Sequence, residues 1–158
     1  MVQLQNVLVL LVEDEPLVRV MASEGLEEAG YAVLEATNAE DALHVLASRP
    51  DVGVLFTDVN MPGKLDGLAL AELVHRQWPA IKLVVTSGRP LPGVVPDDGR
   101  FLAKPYRLED MTDTIAQVRH ATGEDGRRVS PRGRSGKIDR NSVEHRTAAG
   151  APSVHWRA

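Results

Sequence analysis

Two short apolar runs constrain this chain more than any other feature, because each one ends in carboxylates. Val7-Leu8-Val9-Leu10-Leu11-Val12 stops at Glu13-Asp14-Glu15, and Val52-Gly53-Val54-Leu55-Phe56-Thr57 stops at Asp58, before Val59-Asn60-Met61-Pro62-Gly63. Residues 7–12 do not alternate polar with apolar, the pattern of a strand covered on both faces of a parallel sheet. In an open α/β sheet the carboxyl ends of the strands share one crevice. Packing gives no reason to place acidic groups at two such ends. Carboxylates crowded there repel each other unless a cation is present. Hard oxygen ligands with room for water suit Mg2+, and a cation beside a carboxylate suits the handling of a phosphoryl group.

The rest of the pattern alternates helix with strand. Pro16 suits the first position of a helix, in which Leu17, Val20, Met21 and the turn 24–26 form an apolar stripe to about Ala29, with Gly30 as the stop. Tyr31 to Glu35 reads as a strand, and Asn38 caps a helix with Ala39, Ala42, Leu43, Leu46 and Ala47 at helical spacing. Asp66 caps a helix over 67–77, Ile81 to Thr86 is a fourth strand, and Phe101-Leu102-Ala103 is a brief fifth. Lys104-Pro105 and a helix over 108–120 follow. The expected fold is therefore α/β, a doubly wound five-stranded parallel sheet in the flavodoxin-like order 2-1-3-4-5 with right-handed crossovers.

Composition sets the remaining bounds. The chain has 158 residues, 43% hydrophobic, which suits one globular domain over 1–121 and a tail over 122–158. Residues 1–120 carry 18 acidic and 10 basic side chains, while 121–158 carry 4 and 8. Apolar periodicity collapses from Thr122 onward, so 122–158 reads as a disordered basic tail. An acidic body argues against direct DNA binding, where the basic face would lie on the fold. The absence of cysteine excludes disulfides and thiolate zinc sites. No apolar run approaches the roughly 18 residues that span a bilayer, and no secretory signal opens the chain, so a cytoplasmic location is expected.

Four segments carry a family resemblance. Val9-Leu10-Leu11-Val12-Glu13-Asp14-Glu15-Pro16, Thr57-Asp58-Val59-Asn60-Met61-Pro62-Gly63, Thr86-Ser87-Gly88 and Lys104-Pro105-Tyr106 resemble, in order, the signatures of the response-regulator receiver domain over residues 6–120. The resemblance implies that Asp58 is the phosphoacceptor. A carboxylate oxygen of Asp58 would attack the phosphorus of a phosphohistidine on a histidine kinase or histidine phosphotransfer protein and form an acyl phosphate. It implies Mg2+ held by Asp14, by Glu13 through water, by Asp58 and by the backbone carbonyl of Asn60. Lys104, before a cis proline bond, would pair with Asp58 and then with the phosphoryl oxygens. Thr86 would donate its hydroxyl to that group, and Ser87 is small enough to leave the site open. Phe101 stands where the family places an aromatic switch that turns inward with Thr86, although an ordinary core phenylalanine fits the same position. Tyr106 fits either a partner contact or a ring over the last helix. Glu13, Asp14 and Glu15 also suit a helix N-terminus, which is the whole role assigned to Glu15.

Three departures and three rival readings follow. Ser87 to Arg100 holds three prolines and three glycines in 14 residues, so the family's fourth helix is expected to be short or missing. The loop from Gly63 to Gly67 is one residue longer than the common one. No effector module follows, so a single-domain regulator that switches binding to a protein target is expected, not an enzyme. An aspartate-nucleophile phosphatase of the haloacid-dehalogenase type would need an aspartate where Asn60 stands. A flavodoxin relative would need Ser, Thr and Gly with free amides where Glu13-Asp14-Glu15 stands. A receiver detached from a hybrid kinase and serving as a phosphate sink is the third alternative, which the sequence leaves open.

Overall fold

The computed structural model describes residues 7–120. Five strands and four helices alternate: β1 (Leu8–Val12), α1 (Pro16–Glu28), β2 (Ala32–Ala36), α2 (Ala39–Ser48), β3 (Val52–Asp58), α3 (Gly67–Gln77), β4 (Lys82–Ser87), β5 (Arg100–Ala103) and α4 (Leu108–His120). The sheet is parallel throughout, in the order β2-β1-β3-β4-β5, as expected. The expected limit at residue 121 and the tail reading for 122–158 fall outside the described residues. No helix among the described residues is long and apolar enough to cross a membrane.

The unalternating strands are explained by their two coverings. Leu8, Leu10 and Val12 of β1 join Ala42 and Leu46 of α2 and Leu70 and Val74 of α3 in one core. Val9 and Leu11 join Leu26 of α1 and Met111, Ile115 and Val118 of α4 in the other. Each such Val, Leu, Ile or Met side chain contributes roughly 1.5–3 kcal/mol when fully buried. Gly53 is an extra residue near the start of β3, since Leu8 pairs with Val52 and Val9 with Val54. Beyond that bulge the register runs regularly, with Val12 opposite Thr57 and Asp58 opposite Thr86.

The caps act as the sequence indicates. Asn38 Oδ1 accepts from the Asp41 amide at 2.8 Å, and Asp66 Oδ1 from the Ala69 amide at 2.8 Å. The α1 stripe is different. Gly25 and Leu26 of the expected stripe are buried, but Leu17, Val20 and Met21 are exposed, and Ala22 and Ser23 are buried in their place. The cause is close helix contact: Leu108 of α4 lies where a side chain on Gly25 would sit. Small Ala22, Ser23 and Gly25 face that approach beside Leu26, so Leu17, Val20 and Met21 turn outward.

Residues 88–99 contain no helix, in agreement with their composition. Val95, 7% exposed, and half-buried Leu91 pack onto the α2–α3 core instead. Asp97 and Asp98 both take positive φ, 56° and 51°, in a turn where Lys82 pairs with Asp97 at 3.8 Å. Positive φ is uncommon outside glycine, and aspartate is among the residues that tolerate it. Phe101 pairs with Val85, on the face that a fourth helix would have covered, and is 40% exposed.

Val95 thus takes over part of a helix's packing. Val95→Ala is expected to cost about 1–2 kcal/mol, two buried methyl groups plus a cavity. Val94→Ala, at an exposed position, should stay within about 0.5 kcal/mol. Urea midpoints compare them; equal effects would mean that the segment does not pack as described.

Candidate functional site

The register brings four polar side chains to one level of the pleat. Glu13 follows Val12, whose partner Thr57 precedes Asp58; Asp58 pairs with Thr86, and Thr86 with Leu102, two residues before Lys104. The ladder continues past the strands, with the Glu13 amide on Ala36 O at 3.1 Å and the Lys104 amide on Ser87 O at 2.9 Å. After Asp58 the chain stays anchored, Val59 N donating to Thr86 O at 2.9 Å and Gly67 N to Val59 O at 3.0 Å. Gly67 has to be glycine here, because a Cβ would collide with the Asp58 carbonyl and lie 2.9 Å from Val59 Cα.

The charges meet at Lys104. Its Nζ lies 3.0 Å from Glu13 Oε2 and 3.0 Å from Asp58 Oδ2. Glu13 is 3% exposed, Asp58 is buried, and half-buried Asp14 completes an acidic group whose oxygens lie within 4.8 Å of one another. Burial pushes the Glu13 carboxyl above its ordinary value, and the bonds from Lys104 and the Glu15 amide do not cancel it. Burial also opposes the Lys104 ammonium, but Asp58 and Glu13 outweigh it and hold the lysine above its ordinary value. The Lys104 direction expresses the surrounding negative charge, and the Glu13 direction expresses burial. Three carboxylates and one ammonium leave a formal −2, which one divalent cation would neutralise.

The site also leaves a donor over. The Thr86 hydroxyl is buried and has no hydrogen-bond partner. Such a group ordinarily costs about 1–3 kcal/mol, so it marks a place where a ligand acceptor would be stabilised. An all-oxygen acidic set with a vacant charge balance fits Mg2+. Glu13, Asp14 and Asp58 are the residues that could hold it, with Asn60 next to them in the loop.

Other residues hold these in place. Arg19 Nη1 donates to Glu13 O at 2.9 Å, and its Nε lies 3.8 Å from Glu35 Oε1, tying the turn after β1 to both α1 and β2. Asn60 N donates to Asp58 Oδ1 at 3.3 Å. Ser87 Oγ accepts from Asn60 Nδ2 at 3.1 Å and from Arg89 N at 3.0 Å. Glu15 stays exposed, and its amide bonds Glu13 Oε1 at 3.1 Å. The Lys104–Pro105 bond is cis. Tyr106 is partly buried, edge-on to Phe56 with ring centroids 5.9 Å apart, and burial pushes its hydroxyl pKa up. Phe101 lies out of phase with Thr86 and is not a core residue. Sequence reasoning missed Arg19 and Gly67. For Gly67 a signal existed: a glycine directly after the capping Asp66.

Comparison with known proteins gives one answer. The response regulator receiver domain matches residues 9–116. The response regulator receiver protein CpdR of Brucella abortus is 31% identical over 115 residues, covering 70% of this chain and 94% of CpdR. The sensor kinase CckA of the same organism is 33% identical over 116 residues, covering 70% of this chain but 12% of the kinase, so that likeness concerns one part of it. The crystal structure of the receiver domain from the hybrid histidine kinase CckA superimposes with a TM-score of 0.62 at 30% identity, covering 70% of this chain and 97% of that one.

The Lys104 pairs generate a test. Lys104→Met keeps the bulk and leaves Glu13 and Asp58 buried without a cation. A loss of about 3 kcal/mol is expected, the lower end for a broken buried pair because the lysine is partly exposed. Mg2+ should restore more stability to the variant than it adds to the parent. Urea titrations with and without Mg2+ measure both effects; an unchanged midpoint in Lys104→Met would show that the pairs carry no stability.

Proposed function

Because this chain belongs to the response-regulator receiver family, we propose that it is a single-domain response regulator that takes a phosphoryl group from a histidine kinase or histidine phosphotransfer protein onto Asp58. The observation that carries this reading is the Lys104 ammonium on Asp58 Oδ2, beside an acidic cluster and a buried hydroxyl without a partner. Receiver domains are signalling modules rather than classical enzymes.

A carboxylate oxygen of Asp58 attacks phosphorus, the P–N bond to the donor's imidazole breaks, and the P–O bond of an acyl phosphate forms. The imidazole leaves and is reprotonated from solvent. Loose phosphoryl transfer asks for positioning and charge neutralisation rather than proton transfer by the protein. Lys104 moves from pairing with the carboxylate to pairing with the phosphoryl oxygens, and Thr86 donates its hydroxyl to one of them. Asp14, Asp58 and the Asn60 carbonyl, with Glu13 through water, would hold Mg2+, which would supply the remaining charge neutralisation.

The donor is a protein. A groove of about 440 Å³ between α1 and α4, lined by Val18, Met21, Tyr106, Leu108 and Met111, opens beside Lys104. Exposed Leu17, Met21 and Leu108 extend its apolar face, the mark of a docking surface. The likeness to nearly the whole of CpdR supports a regulator that acts alone on a protein target. The likeness to part of CckA supports a second reading, a receiver that drains phosphoryl groups from a kinase. A cytoplasmic location and a protein target, not DNA, belong to both.

Acetyl phosphate with Mg2+ should add one phosphoryl mass to the intact chain, and Asp58→Asn should abolish it; undiminished labelling of that variant sinks the assignment. Asp14→Ala should slow labelling at least about tenfold, as the loss of a metal ligand implies. The same variant should be no less stable without metal, since it removes a like charge from the cluster. Labelling at the parent's rate would remove Asp14 from the metal site.

A further inference from the structure

Three hydrogen bonds run in series from the Asp58 carboxylate to the segment that replaces a helix. Asn60 N–H donates to Asp58 Oδ1 at 3.3 Å, Asn60 Nδ2 donates to Ser87 Oγ at 3.1 Å, and Arg89 N–H donates to the same Oγ at 3.0 Å. Ser87 is 2% exposed, so water has little access to its hydroxyl, and with two donors both acceptor positions of Oγ are taken. Its main chain is fixed from the other side by the Lys104 amide at 2.9 Å. Ser87 is out of phase with Thr86 in β4, so the two adjacent side chains serve opposite faces of the sheet.

We propose that Ser87 is a positioning residue that couples the state of Asp58 to residues 88–99 through Asn60. The proposal rests on Asp58 being the phosphoacceptor. Forming the acyl phosphate turns a carboxylate oxygen into an ester oxygen and moves the negative charge outward onto the phosphoryl group. The Asn60 amide loses a charge-assisted acceptor and re-aims toward the new charge. Its carboxamide is tied to Ser87, so Asn60 cannot shift without loosening the hydroxyl that holds the Arg89 amide. Beyond Arg89 the anchors are few, chiefly Val95 and Leu91, in a stretch with two aspartates at positive φ. A segment so held opens at small free energy, and one altered bond at its root shifts its population. This route does not pass through Thr86 or Phe101.

Hydrogen exchange on the full chain tests it, with and without Mg2+ and beryllofluoride. In the parent, amides at 59–62 and at 88–99 should both change on addition. In Ser87→Ala the change at 59–62 should remain, while that at 88–99 falls at least about fivefold; without the additive, Arg89 N–H should exchange about tenfold faster, the loss of one net hydrogen bond. Ser87→Thr keeps a hydroxyl and should restore the response. Arg89→Pro removes the outer donor while leaving the Asn60–Ser87 bond, and should uncouple 88–99 in the same way even if Ser87→Ala folds poorly. An undiminished response at 88–99 in Ser87→Ala or in Arg89→Pro overturns the proposal. No change at 59–62 in the parent would instead overturn the Asp58 reading.

Discussion

One ammonium between two buried carboxylates is the interaction on which the site depends. Lys104 reaches Glu13 across 91 positions of sequence and Asp58 across 46, so it joins the ends of β1, β3 and β5. Such a group is a poor way to gain stability, because taking the charges out of water offsets much of their attraction. Its value is positional. It holds the Asp58 carboxylate oriented in a cleft where three carboxylates face one ammonium, which the acidic neighbours hold above its ordinary value. A site left in that condition favours a cation and then the group that the cation accompanies.

That arrangement depends in turn on register. Gly53 adds one residue to β3, after which β3 runs in phase with β1. A slip of one residue sends every following side chain to the opposite face. With the bulge, Glu13, Asp58, Thr86 and Lys104 fall in one phase of the pleat, and Ser87 falls in the other. Gly67 completes the geometry from outside the sheet, letting the loop after Asp58 return against the Asp58 carbonyl. The chemistry therefore rests on one extra residue in β3 and one obligatory glycine at 67, neither of which carries a functional group.

Much of this was legible in the residues. Pro16, Asn38 and Asp66 marked their helices because their effects are local, and the apolar runs marked β1 and β3 because double burial leaves no alternation. The acidic ends and Lys104 were legible as residues standing at strand ends. The packed face of α1 was not, because two apolar stripes fit one 13-residue helix. Val18, Ala22 and Leu26 lie at one spacing of four, and Leu17 and Met21 at another. Only the approach of Leu108 to Gly25 decides between them, and that contact spans most of the chain. Arg19 escaped for a related reason, since it bonds a backbone carbonyl six residues back and pairs with Glu35 of β2, and so did the bond from Asn60 to Ser87, which spans 27 positions.

The missing helix shows how packing loss and function coincide. Three prolines between Ser87 and Arg100 forbid the helix, Val95 fills part of the vacated core, and Phe101 is left uncovered on the same face. A single wedge costs less ordering entropy than a helix, but it holds the segment by fewer contacts. Two local rules are broken at the carboxyl ends of the strands, where the Thr86 hydroxyl lacks a partner and burial raises the Glu13 carboxyl, and a third at the opposite edge, where Asp97 and Asp98 sit at positive φ beside Lys82. Inconsistencies of that kind concentrate where a sequence serves something besides its own stability. The 88–99 segment leaves β4 beside the phosphoacceptor cleft and re-enters the sheet at the opposite edge, where Asp97 meets Lys82 at the start of β4, so it is its root, held by Ser87 at the Arg89 amide, that borders the site.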